Sequence, residues 1–234
     1  MKKILIALLL MFACSVCYAA APSFLTEDEM PTGAKILPLP PKVTDASFYN
    51  DWQRYQWGKT LRDTERGKQA IEDADYTLEH LTQIYSEPFG MEISPKKTPE
   101  IWALLDRVLT TATLCKDREK KVLMRTRPFV QFNEPTPIPK DEEELKNNSS
   151  YPSGHTTRGW AIGMVLAQIN PERQDEILKR AFDYGESRVI VGFHYQSDVD
   201  AAQTITSMLV NRMNANEDFR KQLAKAKAEF QELK

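Results

Sequence analysis

Two of the three histidines in this 234-residue chain stand inside phrases suited to a bound anion. His155 closes the run Tyr151-Pro152-Ser153-Gly154-His155, while His194 follows Ser187-Arg188 and precedes Asp198. Lys120 and Arg127-Pro128 lie upstream. A phosphate ester is anionic and its transition state spreads charge over equatorial oxygens, so a catalyst without a metal needs fixed cations and backbone donors. Lys120, Arg127 and Arg188 supply the cations. Arginine's planar fork grips two oxygens at once, whereas a lysine acts as a point charge. Lys120 and Arg127 are spaced to share a face after two helical turns, and Lys121 is a rival one position along.

The Pro152-Ser153-Gly154-His155 phrase is predicted to be a turn entering a helix, which would aim the amides of Ser153 and Gly154 and the helix dipole at an anion. An imidazole there can protonate a leaving alkoxide, although a histidine at a helix start can also merely cap. For His194, a carboxylate that accepts the proton of one ring nitrogen leaves the other with its lone pair free, and Asp198 is placed to be that carboxylate. Asp198 would raise the His194 pKa, and the nearby cations would lower it. The third histidine, His80, has no such company and reads as structural or exposed. A metal centre would need several converging ligands, and the three histidines include no ligand-spaced pair.

These residues need elements to hold them, and from residue 46 onward the apolar spacing is helical with almost no strict alternation, so the fold class is all-α, a single-domain helical bundle. Thr98 and Pro99 open the most strongly patterned helix, with Ile101, Leu104, Leu105, Val108, Leu109 and Ala112 on one face. Other helices are expected over about 65–85, 156–169, 172–185 and 197–213, with a last amphipathic one carrying Phe219, Leu223, Ala226 and Phe230. Residues 20–45, with Pro38, Pro40 and Pro41, read as an extended arm lying over the bundle, because proline bars both itself and its neighbour from helix. Residues 128–151 hold four prolines and an acidic run and read as a long loop joining two of the three phrases, where functional lids often lie.

Residues 1–19 have the form of a secretory signal peptide: Lys2-Lys3, an apolar run, then Cys17-Tyr18-Ala19. The expected cleavage follows Ala19, with lipidation at Cys14 a minor alternative. Of the three cysteines, Cys115 alone would remain, so no intrachain disulfide is available and the thiol, on an apolar helical face, should be buried and inert. The net charge of −2 suggests no nucleic-acid surface, and no stretch after the leader approaches the roughly 20 apolar residues of a membrane span. Asn147-Asn148-Ser149 matches a glycosylation acceptor but carries little weight beside a bacterial-looking leader.

The ordered set Lys-x6-Arg-Pro, Pro-Ser-Gly-His and Ser-Arg-x5-His-x3-Asp resembles the signature of the acid phosphatase superfamily that includes type 2 phosphatidic acid phosphatases and vanadium haloperoxidases. Within it the chain most resembles the class A bacterial non-specific acid phosphatases, through phrases such as Leu61-Arg62-Asp63-Thr64-Glu65-Arg66-Gly67, Met124-Arg125-Thr126-Arg127-Pro128-Phe129, Ile177-Leu178-Lys179-Arg180 and Gln196-Ser197-Asp198-Val199-Asp200-Ala201-Ala202. The resemblance implies a helical fold, a periplasmic location, broad phosphate-monoester specificity and a metal-independent reaction through phosphohistidine with no cofactor. It also implies roles: His194 as nucleophile, Asp198 as its orienter, His155 as acid, and Lys120, Arg127, Ser153, Gly154 and Arg188 as phosphate ligands. Two departures, Ser149 where glycine is usual and Val191 where cysteine is common, bear on loop geometry and substrate preference. The alternatives are a haloperoxidase-like enzyme, whose chains are usually longer, and a periplasmic phosphate-binding protein, which would not need both histidines. A homo-oligomer is expected.

Overall fold

The computed structural model describes residues 21–234, so the leader and Cys14 lie outside the described residues. Eleven α-helices and two 3₁₀ turns, with no strand, make up the described residues, giving the all-α fold that the periodicity predicts.

The arm holds a 3₁₀ turn and the short helix α1 (Gly33–Ile36), and α2 (Phe48–Leu61) follows it. Phe24, Leu25, Met30 and Leu37 of the arm are buried in the main core, which explains why it follows the bundle instead of leaving it. The predicted helix over 65–85 is two helices, α3 (Glu65–Glu72) and α4 (Leu78–Phe89). The break has a local cause. Asp75 Oδ1 accepts the Thr77 amide at 2.8 Å and Thr77 Oγ1 accepts the His80 amide at 3.2 Å, so side chains replace the helical bonds and start a new helix.

The long helix α5 (Pro99–Val122) begins at proline, where the missing N–H would have had no partner. Its next two amides donate to the Glu229 carboxylate at 3.0 and 2.9 Å. Ile101, Leu104, Leu105, Val108, Ala112 and Cys115 are fully buried along it. Burial pushes the Cys115 thiol up to about 12, the signature of an unreactive group. The expected loop over 128–151 instead contains α6 (Pro128–Gln131) and α7 (Pro139–Leu145), each with proline at its first turn, so these prolines start helices.

The centre is α8 (Gly154–Ile169) packed on α9 (Gln174–Ile190), with α10 (Gln196–Asn214) and α11 (Glu217–Leu233) completing the bundle. Glycines explain the closeness of α8 and α9. A Cβ on Gly159 would sit 2.3 Å from Tyr184 Cδ1, and one on Gly163 2.7 Å from Ala181 Cβ, so neither position admits a side chain. Helix α9 runs five residues past the predicted end at Gly185, because that glycine lies inside it, against Thr156.

Candidate active site

Arg188 occupies the last turn of α9, and the chain then reverses through Gly192, whose φ of +82° is natural for glycine. The amides of Phe193 and His194 both donate to the Arg188 carbonyl, at 3.1 and 3.2 Å. That turn is the physical content of the Ser-Arg-x5-His spacing: it folds His194 back beside Arg188. Helix α10 then starts with Asp198 at its third position, where Oδ2 accepts the Tyr195 amide at 2.8 Å. On the facing side, Ser153 Oγ accepts the Thr156 amide at 3.4 Å and starts α8. These turns meet at a cavity of about 90 Å³, lined by His155, His194, Arg188, Lys120, Arg127 and Gly154 among others. At the roughly 10–15 Å³ of such space that seats one water, this has room for a small anion of several heavy atoms.

Arg188 has no exposed surface, and none of its Nε, Nη1 and Nη2 atoms has a hydrogen-bond partner among the described residues. Its guanidinium lies over the Phe193 ring at 5.0 Å, and burial lowers its pKa to about 10. Leaving buried donors unpaired is expensive, so such a group implies an anion as the missing partner. Arg127 differs. It donates to the carbonyls of Leu145, Asn148, Phe193 and Ser149 at 3.0 to 3.2 Å, so its first task is to gather the loop. Lys120 also donates to the Ser149 carbonyl, and burial, then Arg127, holds its pKa well below the lysine range.

Nη1 of Arg127 is 3.2 Å from His194 Nε2. A guanidinium only donates, so the lone pair of neutral His194 is on Nε2 and the proton on Nδ1. Nδ1 lies 3.5 Å from Asp198 Oδ2 and lacks a regular hydrogen bond, a separation that can tighten once the ring gains charge. Burial, followed by Arg127, Lys120 and Arg188, keeps the His194 pKa well below the ordinary value, against a smaller opposing effect of the Ser150 backbone. His155 shows the complementary arrangement. Its Nε2 is 2.8 Å from the Ala74 carbonyl, which only accepts, so Nε2 carries the proton and Nδ1 is the nitrogen left to exchange one. Burial and then Arg188 depress its pKa as well.

Ser153 departs from expectation. Its amide does not face the anion but donates to the Asp198 carbonyl at 3.0 Å, and its hydroxyl caps α8 and accepts from Thr156 Oγ1 at 2.9 Å. The free amides at the start of α8 are those of Gly154 and His155, neither of which makes a hydrogen bond among the described residues. His80, neither a ligand nor fully exposed, stands 4.0 Å from the buried Asp73.

Several site residues escape the motif reading. Arg125 donates from Nη1 to Asp198 Oδ1 and from Nη2 to Asp51 Oδ2, both at 2.6 Å, and thereby fixes the carboxylate behind His194. It lies two positions before Arg127 in a phrase already noted, but Asp51, on α2, has no motif around it. Asp73 accepts from Arg180, and from Ser187 Oγ at 2.6 Å, anchoring the turn whose Ala74 carbonyl holds His155. Ser149, one of the two departures from the family pattern, donates from Oγ to the Leu123 carbonyl at 2.7 Å and accepts the Arg125 amide at 3.1 Å, so its hydroxyl pins the loop.

The PAP2 superfamily model matches residues 101–215. A non-specific acid phosphatase of Providencia stuartii is 48% identical over 200 residues, covering 85% of this chain and 81% of that one. One from Salmonella typhimurium is 40% identical over 208 residues, covering 88% and 83%. An acid phosphatase of Zymomonas mobilis is 32% identical over 201 residues, covering 85% and 76%. The chain belongs to the non-specific acid phosphatase family. In this family member the matched segment holds Lys120, Arg125, Arg127, both cavity histidines, Arg188 and Asp198, whereas Asp51 and Ala74 reach the site from helices and turns outside it. No group of three or more metal-ligating side chains converges among the described residues, and no described helix is long and apolar enough to cross a membrane.

Proposed function

We propose that this family member is an exported, periplasmic acid phosphatase that hydrolyses phosphate monoesters through a phosphohistidine at His194. The observation that carries the reading is Arg188, a wholly buried guanidinium whose donors lack partners beside the Nε2 lone pair of His194. The relatives' printed names, non-specific acid phosphatase, support the same substrate class. The leader-like residues 1–19 support export.

In this reading the substrate's phosphoryl oxygens take the Arg188 donors, the free Gly154 and His155 amides, and the positive field of Lys120 and Arg127. His194 Nε2 attacks phosphorus, an N–P bond forms and the ester P–O bond breaks with its electron pair on the leaving oxygen. His155, protonated at Nδ1, donates a proton to that oxygen. His194 keeps its Nδ1 proton as the phosphorylated ring becomes cationic, Asp198 accepts a hydrogen bond from that N–H, and Arg125 keeps the carboxylate ionised and in place. Water then attacks phosphorus, His155 Nδ1 takes its proton, and the N–P bond breaks to release phosphate and His194. Ser153 joins α8 to Asp198 through its amide, and its hydroxyl proton is the group left for a phosphoryl oxygen.

The test is rapid quench with labelled p-nitrophenyl phosphate in chelator, followed by peptide mapping. Acid-labile, base-stable label on His194 is expected, and its appearance on another residue would overturn the mechanism. Cell fractionation of the native producer tests the location, with release by osmotic shock expected.

A further inference from the structure

Tyr76 lines the active-site cavity and has no task in that reaction. It lies in the connection between α3 and α4, just after Ala74, whose carbonyl holds His155. Helix α9 fixes that connection on both sides of Ala74, since Asp73 accepts from Arg180 and Ser187 while the Tyr184 hydroxyl donates to the Asp75 carbonyl at 2.9 Å. The stretch that orients the acid therefore also places Tyr76. Its ring stands at 86° to the His155 imidazole with centroids 5.2 Å apart. Arg158 lies over the same ring at 4.3 Å from its centroid and is itself held by Thr113 Oγ1 at 3.0 Å, so one aromatic face is covered and its angle fixed. Even so, 47% of Tyr76 is exposed.

A half-exposed tyrosine alone is ordinary, but this one borders the group that protonates the leaving oxygen. That oxygen lies at His155 Nδ1, so the carbon bonded to it must leave the cavity past the side chains beside His155. Tyr184, the other ring there at 6.1 Å, is wholly buried and cannot meet a substrate. Resting on the phosphatase reading above, we propose that Tyr76 is a specificity-determining residue whose open ring surface holds planar leaving groups, so that aryl phosphates are favoured over alkyl ones. Aromatic pairs with centroids about 4.5–7 Å apart, offset or edge-on, gain about 2- to 12-fold beyond the area they bury. Such a contact is the same before and during P–O cleavage. It therefore acts on KM and leaves kcat alone.

Steady-state kinetics on 2-naphthyl phosphate and glycerol 2-phosphate, with the wild type, Tyr76→Leu and Tyr76→Phe, test this. Tyr76→Leu keeps an apolar side chain but no ring, and should lower kcat/KM for the naphthyl ester about 3- to 10-fold through KM, and that for glycerol 2-phosphate by less than about twofold. Tyr76→Phe should hold both near the wild type. Phenylphosphonate and methylphosphonate, which cannot be hydrolysed, should show the same split in their inhibition constants. A loss on glycerol 2-phosphate as large as that on the naphthyl ester would mean that Tyr76 serves His155 or the fold. No loss on the naphthyl ester would mean that the ring is not used, and a loss in Tyr76→Phe that the hydroxyl is what matters; each of these three results would overturn the proposal. Failure of the wild type to hydrolyse any phosphate ester would instead sink the phosphatase reading itself.

Discussion

Arg125 donates to Asp198 Oδ1 at 2.6 Å from a position 6% exposed, and the same guanidinium holds Asp51. The carboxylate behind His194 is therefore one end of a buried acid-base-acid triad tying α2 to α10. Removing the central charge leaves two buried carboxylates facing each other. Arg125→Met should cost about 3–5 kcal/mol of unfolding free energy, the range for breaking a buried pair. Urea unfolding checks this, and adding Asp51→Asn should recover part of the loss. A change below about 1 kcal/mol would mean that water replaces the arginine.

Arg188 leads to the opposite expectation. Its donors are buried without partners, so the unliganded protein carries their desolvation penalty. Arg188→Met should leave the unliganded fold as stable or raise it by about 1–3 kcal/mol. The variant should also lose the rise in Tm that inorganic phosphate gives the wild type. A less stable unliganded variant would show that the guanidinium is structural.

Both cavity histidines are held neutral by burial and cations, with pKa values well below the ordinary imidazole. The unfolded chain binds protons near the unperturbed value of about 6.5 and the folded chain does so only at lower pH. Stability from these groups is thus complete above about pH 6.5 and is lost as the pH falls below it. A bound phosphate dianion reverses the balance by favouring imidazolium. Vanadate, as a transition-state mimic, should bind with net proton uptake near pH 6–7, measured by calorimetry in buffers of different ionisation enthalpy. Zero uptake would remove His155 as the acid.

The histidines should separate by leaving group. His194→Ala should abolish turnover of every ester. His155→Ala should lose about 10²- to 10⁴-fold on alkyl phosphates, the usual worth of a general acid, and far less on p-nitrophenyl phosphate, whose leaving group departs unaided. Stopped-flow comparison of the two substrates decides it. Equal losses on both would contradict the assignment.

The residues legible in the sequence are those whose role is tied to a local turn. His194 and Arg188 share one helix end and its Gly192 reversal, so their spacing carries the geometry. Thr98-Pro99 and the apolar stripe below it show α5 in the same way. Residues that act across the bundle leave no such trace. Asp51 meets Arg125, and Ala74 meets His155, across sequence separations of 74 and 81 residues, contacts that only the tertiary packing creates. The break between α3 and α4 was hidden because Ala70, Ile71, Ala74 and Leu78 keep a helical period through residues whose side chains end the helix. Ser153 misleads for a related reason: the sequence shows a cap but not which carbonyl its amide meets.

That carbonyl belongs to Asp198, and so the first turns of α8 and α10 are stitched by a single main-chain bond behind both histidines. An amide in this position is a built-in reporter, since it trades its proton with solvent only when those two turns separate. Its exchange rate, followed by NMR as phosphate is added, measures the free energy of separating these two turns in the resting enzyme. That opening equilibrium is otherwise hidden from any assay of turnover.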